Sequence, residues 1–373
     1  MAVYLHSSVS HTACGNSYGK NNSGQALTFI DKPNVTLTVN GQSGVTFYGM
    51  DQIPVDSSEA RLFASLSAVL KQLIKLSGLD ANQLKHTALL LGSTSLDIGT
   101  LQPCAQKSLG LPTIDRLSHF LQQEFGLNPL HLVFNTACTA SINAVLYAKK
   151  LIELADFKHV IVIGCEFYNQ LTLAGFHSLD LLSHEQLLAF HQQRQGLILG
   201  EGIGALLLSA QAPAGKRHYR ILEGDSSCDT SSLTMTAEDG SHIKQVMAQA
   251  VKKSALLPAD INLVKVHGTA TYNNDIAEFN GLDSYFNCPP PILALKPFIG
   301  HTLGACGAIE MALMDSLLNT DFIPVPAYAL SKTQENMLPF VTKTSAISDF
   351  QYILLNHCGF GGNNAALVLE TRL

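Results

Sequence analysis

Apolar residues at Leu62, Leu66, Val69, Leu70, Leu73 and Ile74 recur at helical spacing and predict a helix over residues 57–77. Thr87 to Leu91 and Val160 to Ile163 are short, unbroken apolar runs bounded by polar residues or glycine, the pattern of parallel strands buried on both faces. A strand-like piece, Leu130 to Phe134, leads through Asn135-Thr136-Ala137-Cys138-Thr139-Ala140-Ser141 into a helical pattern from Ala140 to Leu154. Strands alternate with helices along the chain, which points to α/β layering. Residues 11–30 are rich in glycine, asparagine and serine and predict a surface loop. Within them, Gly15-Asn16-Ser17-Tyr18-Gly19 matches the spacing of a serine nucleophile elbow. Polar Lys20-Asn21-Asn22-Ser23 follows instead of a helix, so it is read as loop.

The pattern repeats. A helix-like stretch follows Cys138, and another, Gly304 to Leu318, follows His301. Gly200-Glu201-Gly202-Ile203-Gly204 leads into a strand over Ala205 to Ser209, and Gly359-Phe360-Gly361-Gly362-Asn363-Asn364 leads into one over Ala365 to Glu370. The same features in the same order predict two similar halves whose reactive loops meet at one site. The turn-forming stretch from Gln211 to Arg217 is the seam, giving halves 1–212 and 213–373.

The 373 residues, 46% hydrophobic, suffice for such a duplicated core. Only 14% are charged, well below the usual quarter, which predicts surface buried against a second subunit. A net charge of −6 argues against a nucleic-acid binder. The eight cysteines form no Cys-x-x-Cys pair and no zinc spacing, so no metal is expected, and scattered free thiols suit the cytoplasm. Residues 1–10 lack the features of a signal peptide, and no apolar run is long enough to span a bilayer. The two Asn-x-Ser/Thr sequons, at Asn21 and Asn34, are read as chance matches.

Cys138 is the leading candidate for chemistry. At a strand-to-helix junction, the helix dipole is expected to favour its thiolate, and small neighbours leave room for an acyl group. Among fourteen histidines, His267 and His301 stand apart at the ends of apolar runs, beside small residues. With Cys138 they make a set suited to nucleophilic acyl chemistry.

Five segments carry a resemblance. Thr-Ala-Cys-Thr-Ala-Ser at 136–141, Gly-Leu-Ile-Leu-Gly-Glu-Gly at 196–202, His-Gly-Thr-Ala-Thr at 267–271, Lys-Pro-Phe-Ile-Gly-His-Thr-Leu-Gly-Ala at 296–305 and Gly-Phe-Gly-Gly-Asn-Asn at 359–364 occur in the order seen in elongating beta-ketoacyl-acyl carrier protein synthases. The resemblance runs from about residue 85 to the C-terminus. It implies a thiolase-like, duplicated αβαβα fold and a decarboxylating condensation of an acyl thioester with malonyl-acyl carrier protein. It implies roles for single residues as well. Cys138 resembles the acyl-accepting nucleophile, and His267 and His301 the pair that drives decarboxylation. Lys296 resembles the lysine that orients them, and Glu310 its buried partner. The backbone N–H groups of Cys138 and Phe360 would form an oxyanion hole, with Phe360 also a gate over the acyl pocket. Thr269 and Thr271 would bind the phosphopantetheine arm. No resident cofactor is implied, because the arm arrives on the acyl carrier protein. The family also implies a homodimer or a heterodimer with a related subunit.

Three departures matter. Leu188-Ala189-Phe190-His191 replaces an Arg-Pro-Phe-Asp segment, although Arg194 is kept. His357-Cys358 replaces Ser-Phe, which puts a cysteine where thiolases carry their second reactive one; packing is the preferred reading, since thiolases lack the His-Gly-Thr segment. The chain is also shorter than most of the family before Cys138. The alternatives are therefore a non-decarboxylating thiolase acting on coenzyme A thioesters, or a chain-length-factor-like partner subunit. An acidic carrier protein would need a basic patch, for which Arg61, Lys71, Lys149 and Lys150 are candidates.

Overall fold

The computed structural model describes residues 1–17, 27–39, 41–50, 58–101, 114–230, 236–318, 320–330, 336–342 and 344–373. Cys104, the sequon at Asn21 and the end of the Gly15–Gly19 segment lie outside these residues. Part of the expected 11–30 loop is strand, because the first strand, Val3–Thr12, reaches into it and Gly15–Asn16 pairs back onto that strand.

Ten strands of the main sheet organise the molecule. The first five are β1 (Val3–Thr12), β2 (Thr87–Gly92), β3 (His131–Phe134), β4 (His159–Glu166) and β5 (Gly202–Ser209). The second five are β6 (His218–Cys228), β7 (Leu263–Lys265), β8 (Ile292–Leu293), β9 (Tyr352–Cys358) and β10 (Asn363–Arg372). Their spatial order is β8-β7-β9-β10-β6-β1-β5-β4-β2-β3. Read outward from the central β6–β1 pair, each set of five has the same order. The pairing senses match too: β1–β5 and β5–β4 are antiparallel, β4–β2 and β2–β3 parallel, and β6–β10, β10–β9, β9–β7 and β7–β8 repeat that sequence.

Six helices complete two equivalent sets. They are α1 (Glu59–Ser77), α2 (Arg116–Phe125) and α3 (Ala140–Glu153), then α4 (Ser241–Lys253), α5 (Tyr272–Phe286) and α6 (Cys306–Leu317). Ser58 caps α1, its hydroxyl accepting the Arg61 N–H, and Gly78 ends it in the left-handed conformation. α3 and α6 form a central layer between the two halves of the sheet, and their core includes Ile142, Val145, Ile309 and Met311. The alternating faces of the N-terminal strands explain why their sequences are apolar throughout. Leu90, Val162 and Leu206 face the central helices, whereas Leu89, Leu91, Ile161 and Ile163 face α1 and α2. α4 cover the outer face of the C-terminal half together with α5. The result is five layers, αβαβα. The central crossing is tight: a Cβ at Gly307 would lie 2.7 Å from the Ile142 nitrogen.

Candidate active site

Two equivalent turns deliver the chemistry to one cleft. At the end of β3, Ala137 takes φ 49°, and a 3-10 turn over Ala137–Thr139 runs into α3. In the second half, Leu303 takes φ 42°, and a 3-10 turn over Leu303–Ala305 runs into α6. Left-handed backbone is costly for alanine and leucine, so both turns must be held by their surroundings. Around the first, Thr139 Oγ1 donates to the Thr136 carbonyl at 2.7 Å and Asn143 Nδ2 donates to Thr136 Oγ1 at 2.9 Å.

The first turn places Cys138 Sγ 3.0 Å from His301 Nε2. Burial pushes the Cys138 thiol up to about 12; Lys296 and the backbone N–H groups of Phe360 and Cys138 oppose that shift. This corrects the expectation of a resting thiolate. The helix terminus is present, but with only 6% exposure desolvation outweighs it and the proton stays on sulfur. The same two N–H groups hydrogen-bond the sulfur.

His267 follows β7. Its backbone N–H and that of Gly268 donate to the carboxylate of Glu278, at 2.7 and 2.8 Å. His301 is tied to the 196–202 segment, with its N–H on the Ile198 carbonyl at 2.7 Å and its carbonyl accepting from Gly200 at 3.1 Å. The two imidazoles meet edge to face with centroids 5.2 Å apart. Burial, reinforced by Lys296, holds both well below the ordinary 6.5, so both are neutral.

Lys296 and Glu310 pair at 2.9 Å, both fully buried, the pairing the resemblance implied. Thr269 and Thr271 place their hydroxyls 2.9 Å apart on the wall of a cleft of about 380 Å³ that Cys138, His267, His301 and Phe360 also line. Phe360 stacks on Phe176, with centroids 5.5 Å and planes 21° apart. All eight residues singled out in the sequence thus lie in or directly behind one cleft. Cys358 lines it too, 4% exposed, with Asn356 Nδ2 3.7 Å from its sulfur.

The basic patch is corrected. Arg61 pairs with Glu201 at 2.6 Å, and Lys149 is buried between Glu153 and Glu223 at 2.5 and 2.7 Å. Of the four candidates, only Lys71 and Lys150 are exposed.

Sequence reasoning missed four buried groups. Lys265, at the end of β7, donates to Glu310, to His357 Nε2 at 3.0 Å and to the Asn356 carbonyl at 3.2 Å. His357 Nδ1 in turn lies 3.4 Å from Cys306 Sγ. Glu166, at the end of β4, accepts the backbone N–H groups of Thr94, Ser95 and Gly304 at 3.0, 2.8 and 3.2 Å, and so joins the two halves. The signals were present: Lys265 interrupts an apolar run two residues before His267, and His357 stands one residue from Cys358.

Comparison with known proteins decides the family. The profile of the beta-ketoacyl synthase N-terminal domain matches residues 61–214, and that of the C-terminal domain matches residues 219–327. The chain belongs to the beta-ketoacyl synthase family. This synthase-family chain is 28% identical over 261 residues to 3-oxoacyl-[acyl-carrier-protein] synthase 2 of Vibrio harveyi, covering 66% of this chain and 63% of that protein. It is 30% identical over 261 residues to the protein of the same name from Rhizobium meliloti, covering 65% of this chain and 61% of that one. The chain thus spans under two thirds of the length of these relatives. Among solved structures, its fold matches a ketosynthase (ApeO) in complex with its chain length factor (ApeC) from Xenorhabdus doucetiae, with TM-score 0.80, 23% identity and coverage of 100% of this chain and 98% of that one. It also matches a beta-ketoacyl synthase from Burkholderia phymatum, with TM-score 0.81, 20% identity and full coverage of both chains. These likenesses establish the thiolase-like ketosynthase fold.

Proposed function

We propose that the protein is a decarboxylating ketosynthase that joins an acyl group held on Cys138 to a malonyl unit carried by acyl carrier protein. The observation that carries this reading is the convergence of Cys138, two neutral imidazoles and the buried Lys296–Glu310 pair on one cleft. The Cys138 sulfur attacks the incoming acyl thioester, and its proton leaves on the pantetheine thiol. The malonyl C–COO⁻ bond then breaks, CO₂ departs, and its bonding pair forms an enolate. N–H groups of His267 and His301 hold the enolate oxygen; neutral imidazoles suit this because they donate hydrogen bonds without the acidity to quench the carbanion. The enolate carbon bonds to the Cys138 acyl carbon, whose oxyanion sits on the N–H groups of Cys138 and Phe360. Collapse breaks the C–S bond, and a proton returns the sulfur to the thiol.

In this reading Lys296 and Glu310 set the charge behind the histidines, Thr269 and Thr271 hold the phosphopantetheine arm, and Phe360 on Phe176 gates the acyl pocket. The chemistry requires no resident cofactor. The halves 1–212 and 213–373 act as one unit, since each supplies groups to the site. We propose a partner chain, either a second copy or a related ketosynthase-like subunit. In support, β3 ends the sheet with a neighbour on one side only, the charged fraction is 14%, and two structural relatives are described as ketosynthases with a chain length factor. Among the described residues no helix is long and apolar enough to cross a membrane, and the free cysteines suit a reducing cytoplasm. An intact Cys138 distinguishes the chain from a subunit that only shapes a partner's pocket. The test is incubation with acyl- and malonyl-carrier protein. A 3-oxoacyl thioester is expected, and condensation of two acetyl groups without release of CO₂ would instead indicate a thiolase.

A further inference from the structure

Behind the cleft lies a chain of buried side chains to which the reaction above assigns no role. Lys265 is fully buried, and its Nζ meets three acceptors: the Glu310 carboxylate, the Asn356 carbonyl at 3.2 Å and His357 Nε2 at 3.0 Å. A primary ammonium has three N–H bonds, and these three partners use them all. His357 Nε2 is therefore an acceptor, and the ring proton sits on Nδ1. Nδ1 faces Cys306 Sγ at 3.4 Å. The single proton of Cys306 is directed at the backbone carbonyl of Cys138, 3.1 Å away. One arrangement of protons satisfies every link: Lys265 donates to His357, His357 to Cys306, and Cys306 to Cys138. His357, Cys306 and Lys265 are all buried, and burial pushes the Cys306 thiol up to about 12, so it keeps the proton the chain requires.

We infer that Lys265, His357 and Cys306 are positioning residues that clamp the Cys138 peptide, so that the strained turn presents both its sulfur and its N–H group to the acyl carbon. The strain at Ala137, with φ 49°, is what such a clamp must restrain. The clamp is built from the second half of the chain (β7, β9 and α6) and acts on the turn of the first. His267, Cys306 and His357 also bring ligand atoms within 4.8 Å of one another, but Lys265 beside His357 opposes a metal ion there.

The inference rests on the ketosynthase reading, and its test separates the two. The rate at which Cys138 is acylated by an acyl-carrier protein is followed by intact mass in wild type, Cys306→Ala and Cys306→Ser. Serine and alanine differ here by one hydroxyl, which can accept from His357 and donate to Cys138. Cys306→Ala is expected to be about two- to tenfold slower with KM unchanged, the worth of one buried hydrogen bond, and Cys306→Ser to recover most of the rate. Equal rates in all three proteins overturn the clamp. Lys265→Met is expected to slow acylation further, and combining it with Cys306→Ala to add little, because both break one chain; multiplicative losses contradict the inference. A readout without any loss of stability is the ¹⁵N spectrum of the histidines in the wild-type protein, with His357→Gln providing the assignment. It should show His357 as the neutral Nδ1–H tautomer, and an Nε2–H tautomer overturns the proton arrangement. Failure of wild type itself to be acylated would count against the ketosynthase reading, whereas the tautomer tests the clamp alone.

Discussion

The two turns at Ala137–Thr139 and Leu303–Ala305 share position, strained first residue and following helix, yet only the first carries a cysteine. At the first, the residue after the strain is Cys138, facing the cleft. At the second it is Gly304, where a Cβ would lie 2.5 Å from the Thr94 nitrogen and 2.7 Å from the Ser93 carbonyl carbon. Duplication thus supplied two places for a reactive group, and close packing against the end of β2 closed one of them. The second turn instead follows His301, which lines the cleft, and the C-terminal half also places His267 on it and Lys296 behind it. In the proposed reaction the nucleophile sits on one half and the groups that make the carbanion on the other, so the cleft is complete only where the halves meet.

The sharpest way to break this asymmetry is Cys138→Ala. Condensation should fall to background, and retention of activity would move the nucleophile elsewhere. His267→Ala should cost about 10²- to 10⁴-fold in condensation while the acyl group still loads onto Cys138, as quench-flow mass spectrometry would show. Equal loss in both steps would contradict the division of labour. Glu166, which holds Gly304 to the β2 loop, makes a smaller and pH-dependent contribution. Burial pushes its carboxyl up to about 7, so the folded protein holds the proton more tightly than the unfolded chain does. Its deprotonation therefore destabilises the fold progressively from about pH 4.5 to about pH 7, by on the order of 3 kcal/mol. Urea titrations of Glu166→Gln should lack that part of the pH dependence. Gly304→Ala should cost roughly 1–3 kcal/mol or more in the same assay, by forcing the second turn off β2. Finally, the acid limb of the condensation rate should lie below pH 6.5, because both imidazoles stay neutral; a limb at or above that value would contradict their environment.

Much of this was legible in the sequence. The unbroken apolar runs gave buried strands because both faces of the sheet are covered, and the glycine-rich segments marked the starts of β5 and β10. The residues on the cleft wall also stood out, since small residues flank each of them. The buried support did not. Lys265 comes from β7, His357 from β9, Cys306 from α6 and Glu166 from β4, and no local pattern predicts that these strands and helices converge. The grouping of His267, Cys306 and His357 was invisible for the same reason: its spacing in sequence is irregular, although its atoms meet in space. The thiolate expectation failed because a helix terminus can be read locally, whereas desolvation depends on every layer around it. The basic-patch expectation failed because Glu201 and Glu223, far along the chain, neutralise Arg61 and Lys149.

The most direct test follows the free carboxyl carbon of the extender. With malonyl-carrier protein labelled at that carbon, and Cys138 loaded with an unlabelled acyl group, one labelled CO₂ should be released for each carbon–carbon bond formed and none of the label should remain in the 3-oxoacyl product. A product that forms without release of labelled CO₂ would contradict the account.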